Sequence, residues 1–159
     1  MLCLRFELDG QACALPVAAI REVLPWREPR PLPGLPPFVR GVFRHRGRPI
    51  PLLDGCMLVG GEGCPPRISS RVLVLDLDDD PQRPFGLLVE RATDTVEVDP
   101  EEGPAARPLA LDATPWLAEL GHAGPEAIQL LRPHGLLPGK ALELLYPGYC
   151  TEAAVMETP

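Results

Sequence analysis

Apolar and polar residues alternate strictly at the start of the chain, Leu2, Leu4, Phe6 and Leu8 against Cys3, Arg5 and Glu7. Period two predicts a strand with one buried face. Asp9-Gly10 turns it, and the short run of small residues at 12–15 can return antiparallel. The period then lengthens to three or four through Val17, Ile20 and Val23 or Leu24, with Pro16 ahead and Pro25 behind, which predicts one short helix. Closely spaced prolines from Pro25 to Pro37 make a stiff, extended connection. Residues 38–44 and 49–53 read as a hairpin about Arg46-Gly47, where glycine supplies a positive φ, and Pro49 and Pro51 put the second arm at an edge. An apolar run at 72–77 pairs with 85–90 around the acidic, proline-bearing 78–84, and Val96 and Val98 alternate in a further strand.

From 99 to 114 the chain is polar and proline-rich, a long loop or excursion. Thr114-Pro115 predicts a helix start for 116–120, ended by Gly121. A last strand follows at 127–131, then a terminal helix at 140–146, stopped by Pro147-Gly148. Many short strands with frequent turns and only a few short helices predict a small barrel or a pair of barrels, not a βαβ sheet.

A length of 159 residues allows one domain, or one domain of two coupled halves. A composition 45% hydrophobic can fill a core even with 22 prolines. The formal charge of −7 opposes nucleic acid and anionic membrane surfaces as partners. Charges close to the first residue, and the want of a long apolar run, predict a soluble, cytoplasmic protein. Cysteines at 3, 13, 56, 64 and 150 include no C-x-x-C pair and predict separate thiols in place of a disulfide scaffold.

Catalytic constellations are incomplete. Asp76-x-Asp78-x-Asp80 opens like a calcium loop, but Pro81 stands where the sixth-position glycine belongs and Leu87 where the twelfth-position carboxylate belongs. His45, His122 and His134 lack helical partners, so a zinc site would need distant pieces. Cys56 and Cys64 flank Gly60-Gly61-Glu62-Gly63 with no local base, and those glycines fit neither a phosphate loop nor a dinucleotide fingerprint. The order basic-x-x-Pro-x-x-Pro from Arg30 to Pro36 matches a polyproline ligand, but its place between two elements favours a structural connector. The unusual feature is cationic: Arg40, Arg44, His45, Arg46 and Arg48 in one short run of an acidic chain. It is either a solvated hairpin balanced by nearby carboxylates or a docking element for an acidic protein surface. Strict alternation would put Arg44, Arg46 and Arg48 on one face, with Gly41, Phe43 and His45 on the other.

The run Ile20-Arg21-Glu22-Val23-Leu24-Pro25, then Leu32-Pro33, Phe38-Val39-Arg40-Gly41-Val42, and Arg46-Gly47 before Pro51-Leu52-Leu53-Asp54, resembles the CheW-like coupling proteins of bacterial chemosensory systems. The likeness spans Leu4 to Pro147. A narrower one covers Glu90 to Thr95, Leu111-Asp112, Pro115-Trp116-Leu117 and the stretch from Leu136 to Pro147. It is similar to the second coupling protein of Wsp-type systems, which link surface contact to cyclic-di-GMP synthesis.

The resemblance implies a mainly β fold, two SH3-like β-barrel subdomains packed together with a few short helices. It implies a single domain over 1–147 with approximate halves 12–68 and 70–147, residues 1–10 a strand that pairs with either, and a frayed tail at 148–159. It implies no catalytic residue, no metal and no cofactor. Its partners would be the cytoplasmic helical tip of a methyl-accepting receptor and the regulatory domain of a CheA-type histidine kinase, with no nucleic acid and no membrane insertion. The protein would be cytoplasmic and joined to membrane receptor arrays through those partners. Matched position by position, Ile20 and Glu22 on the short helix, Gly41 on the next strand, and Arg46 with Gly47 at the hairpin are the partner-binding candidates. Glu22 and Arg46 are expected to pair. The alternatives are a small enzyme using Cys56, Cys64 and His45, or a stand-alone module that binds a polyproline or acidic peptide. The pattern departs from the family where Asp54 leads into Gly55-Cys56-Met57 and where 99–124 runs long, so no site is assigned in the second half.

Overall fold

Strand β1 (Leu2–Leu8) turns at Asp9-Gly10 into β2 (Gln11–Pro16), with Leu4 opposite Leu15 and Phe6 opposite Cys13. This computed structural model describes residues 1–65, 68–100 and 116–146. The expected helix at 17–24 is corrected: Val17–Ala19 form one 3-10 turn, and the chain extends into β3 (Glu22–Pro25). Helix-like apolar spacing arose where a turn abuts a strand in which exposed Val23 alternates with buried Leu24. Pairing with β6 (Ser70–Asp76), Glu22 opposite Val74, decides the conformation: β-branched Val23 suits a sheet, and Pro25 is tolerated because β3 is an edge strand.

Strands β4 (Val39–His45) and β5 (Arg48–Asp54) form the expected hairpin. Arg46 and Gly47 both hold positive φ, 51° and 77°, the two-residue turn whose twist matches the strands. The proline half of β5 meets only β4, whereas Leu52, Leu53 and Asp54 also lie parallel to β7 (Pro84–Glu97). Missing proline donors therefore fall on an edge. After β5 comes a single turn of helix, α1 (Gly55–Leu58).

Strands β6 and β7 pair antiparallel, Val72 opposite Leu88. The separate strand expected at Val96 is the far end of β7, which bends at Arg91 (φ 52°) beside a register slip against β1. One long strand thus serves two groups. Its first part joins β6 and β5, and its second part pairs with β1. After Val98, β8 (Asp99–Pro100) pairs with β9 (Leu117–Ala123), then β10 (Glu126–Leu131), which lies parallel to β2. The helix expected at 116–120 is therefore β9, with Gly121 inside the strand and not ending a helix; the proposed start at 114–115 lies outside the described residues, as does the tail at 148–159. Helix α2 (Gly139–Leu145) is the expected terminal helix.

The architecture is mainly β, with strand order β3-β6-β7-β1-β2-β10-β9-β8 and β8 following β7 in the chain after Val98. A large core holds Phe6, Leu15, Leu52, Leu73 and Leu88; a smaller one holds Cys3, Ala14, Val98, Ile128 and Leu130. Strand β1 is a wall between them: Leu4, Phe6 and Leu8 face the large core and Cys3 the small one. The expected buried face is present in Leu4, Phe6 and Leu8, and on the other face Cys3 is buried as well while Arg5 and Glu7 stay partly exposed.

Two smaller expectations also change. Cys56 and Cys64 are joined in a disulfide with Cα atoms 5.5 Å apart, while Cys3 and Cys13 are free and buried. The proline segment is a connector, turning at Pro33-Gly34 after Arg30 bridges Val42 through backbone hydrogen bonds of 2.7 and 3.0 Å.

Candidate functional site

The hairpin tip of β4 and β5 stands over edge strand β3, leaving a groove of about 500 Å³ between them. Arg21, Glu22, His45, Arg46 and Arg48 give it charge. Buried Ile50 and Val74, with Pro84, give it an apolar floor.

Glu22 organises the rim. Its Oε1 accepts from Arg46 Nη2 at 3.4 Å, the pairing expected from the sequence. Its Oε2 lies 3.0 Å from His45 Nε2 without the alignment of a hydrogen bond. The strand conformation of Glu22 is what aims it there, since β3 runs beside β6 and the hairpin projects across it. An exposed pair of this kind contributes about 0 to 1 kcal/mol to stability. Its effect is to hold one guanidinium, 78% exposed, at the mouth of an apolar-floored groove.

The arginine-rich run does not form one cationic face. Arg46 occupies the turn, which breaks the alternation expected for Arg44, Arg46 and Arg48. Arg44 donates to the Gly47 carbonyl at 2.9 Å, and Arg48 to the Gln82 carbonyl at 2.9 Å. Arg40 is drawn inward to Asp54 at 2.7 Å. Arg21, which the cationic reading did not include, joins the rim and pairs with Asp76 at 3.2 Å.

The remaining candidates lie elsewhere. Ile20 follows the 3-10 turn, half-buried against the large core, so neither it nor Glu22 is helical. Gly41 is buried at a register slip in β4 with φ 138°, and a Cβ there would overlap the Arg30 carbonyl. Gly47 has open space around it and serves the turn. Gly41 and Gly47 therefore shape the hairpin through the backbone.

Asp54 is a site the sequence reading missed. It is fully buried, caps α1 by accepting from the Met57 N–H at 3.2 Å, and accepts from the Cys64 N–H at 3.0 and 3.1 Å. With Arg40 these partners compensate a buried carboxylate. Among the described residues, Asp54, Cys56 and Cys64 are one grouping with metal-ligand atoms in reach. The disulfide and the occupied carboxylate leave it poorly suited to an ion. The supposed calcium carboxylates are also engaged: Asp76 with Arg21, Asp78 with the Gly135 N–H, Asp80 with the Gln82 N–H.

The chain matches the CheW-like domain family over residues 2–140, and it belongs to that family. It is 28% identical over 93 residues to "Chemotaxis protein CheW" of Rhizobium meliloti, covering 58% of each chain. It is 40% identical over 73 residues to "Protein PilI" of Pseudomonas aeruginosa, covering 45% of this chain and 40% of that one. The chain thus spans less than two thirds of the length of these curated relatives. The crystal structure of the scaffolding protein TtCheW from Thermoanaerobacter tengcongensis matches with a TM-score of 0.69 at 18% identity, over 84% of each chain. That likeness is one of fold, and it agrees with the two SH3-like subdomains implied by the sequence.

Proposed function

We propose that this chain is a non-enzymatic adaptor. It joins the cytoplasmic helical tip of a methyl-accepting receptor to the regulatory domain of a CheA-type histidine kinase in a chemotaxis-like pathway. The observation that carries this is the groove over β3: an apolar floor of Ile50 and Val74 under an arginine-lined rim, where Arg46 is exposed and steadied by Glu22. Such a groove suits a partner segment that presents an apolar side chain beside a carboxylate. A local positive charge on a chain of net charge −7 gives that partner a preferred orientation. Membership in the CheW-like family supports the same reading.

Gly41 and Gly47 serve the interface by setting the hairpin's path, and Ile20 by supporting the chain entering β3. The narrower sequence likeness to Wsp-type coupling proteins supports an output in surface sensing and cyclic-di-GMP control. Among the described residues no helix is long and apolar enough to cross a membrane. In the adaptor reading, attachment to a receptor array runs through the receptor. Mixing the purified chain with a kinase regulatory domain and a receptor cytoplasmic fragment tests the proposal. A complex containing all three is expected; a folded chain that retains neither partner contradicts it.

A further inference from the structure

We propose that Cys56 and Cys64 are a reversible thiol–disulfide couple, a modification site for low-molecular-weight disulfides of the glutathione class, and that it governs the order of the loop between them. This inference is independent of the adaptor reading. The two cysteines are bonded across the loop that follows β5. The pocket also suits the reduced state. Cys64 Sγ lies 3.6 Å from the Leu88 carbonyl, so as a thiol it has an acceptor already in place.

Asp54 holds the two ends of the loop through backbone donors, the Met57 N–H and the Cys64 N–H, and neither contact needs the sulfur bond. Breaking that bond therefore loosens the segment while leaving its anchors. The loop between them carries Gly60-Gly61-Glu62-Gly63, nearly devoid of side chains, and the backbone bonds at its start are Gly60 N–H to the Met57 carbonyl at 3.0 Å and Gly61 N–H to the Cys56 carbonyl at 2.8 Å. Local opening of so thin a segment exposes the buried sulfurs to a small reagent. Cys3 and Cys13 sit inside strands β1 and β2, buried in the small and the large core respectively.

The exchange balances without a metal or a second protein. One cysteine thiolate attacks a sulfur of the small disulfide, breaking its S–S bond and releasing one small thiolate. The other cysteine thiolate then attacks the mixed disulfide at the protein sulfur, forming the Cys56–Cys64 bond and releasing the second. The two protein thiol protons end on the two small thiols; the protein sulfurs are oxidised and the small disulfide is reduced.

The test uses the full chain in graded mixtures of reduced and oxidised glutathione, quenched with an alkylating agent and mapped by mass. The expected result is one two-electron transition on the peptides carrying Cys56 and Cys64, reversed by dithiothreitol under native conditions. Amide hydrogen exchange at 57–63 should be about tenfold faster in the reduced form, with β5 and β6 protection retained. The double variant Cys56→Ser/Cys64→Ser should exchange at the reduced rate in every mixture. A pair that stays thiol throughout, or stays bonded under native dithiothreitol, overturns the proposal. So does equal exchange in both forms, or loss of β5 and β6 protection on reduction, which would make the bond a staple of the fold.

Discussion

The Asp54 carboxylate, with no exposed surface, lies 2.7 Å from Nη1 of Arg40, whose guanidinium stands 6.0 Å from the centre of the Trp26 ring. This ion pair ties the end of β5 to β4 and, through Trp26, to the proline-rich connector. Removing the cation strands a buried charge, so Arg40→Leu should lose about 3 kcal/mol of unfolding free energy, the lower end for a buried pair because Arg40 is 32% exposed. Urea unfolding measures it. A loss under about 1 kcal/mol would show that the two backbone donors suffice.

Gly41 and Gly47 separate backbone need from surface role. Gly41→Ala meets both a strained φ and the Arg30 carbonyl, and should lose about 2 kcal/mol or more. Gly47→Ala meets open space, and only the left-handed turn penalises it, by about 1 kcal/mol. Thermal melts of the two variants should rank in that order; the reverse order contradicts the assignment.

Arg5 reaches across from β1 to Glu126 on β10 with hydrogen bonds of 2.7 and 2.8 Å. Those bonds hold the Glu126 carboxyl below its ordinary value of 4.5. A lowered carboxylate stabilises the fold fully above pH 4.5 and loses that contribution as pH falls through the folded-state value. The melting temperature should therefore fall more steeply below pH 4.5 for the native chain than for Glu126→Gln. Parallel curves would contradict the pairing.

Burial pushes the Cys13 thiol up to about 12, so it is protonated and inert at ordinary pH. Alkylation of the folded chain at about pH 8.5 should leave Cys13 unlabelled, and denaturant should release it. Rapid native labelling would contradict the packing of β2.

Period-two runs and turn chemistry made much of the β structure legible: β1 and β2, the hairpin at Arg46-Gly47, and β6 against the first part of β7. The failures differ in cause. The strand at 22–25 owes its extended form to β6, far along the chain, and no local signal carries that; the strand at 117–123 is one arm of a hairpin with β10 about Gly124-Pro125, which the helix start read at Thr114-Pro115 obscured. The Glu22–Arg46 pair was legible because the family pattern placed both residues. The inward turn of Arg40 was not, since its partner Asp54 looked like an ordinary strand end. The Cys56–Cys64 bond escaped because its spacing matches no common motif and depends on the glycine-rich segment folding back.

The adaptor account rests most directly on Arg46. Titration calorimetry against a kinase regulatory domain and a receptor fragment, with thermal melts alongside, should show Arg46→Glu binding at least one of them about tenfold or more weakly. Its melting temperature should stay within about 3 °C of the native chain, since the exposed pair with Glu22 contributes so little to stability. Unchanged affinity for both partners, or a large thermal loss with binding intact, would contradict it.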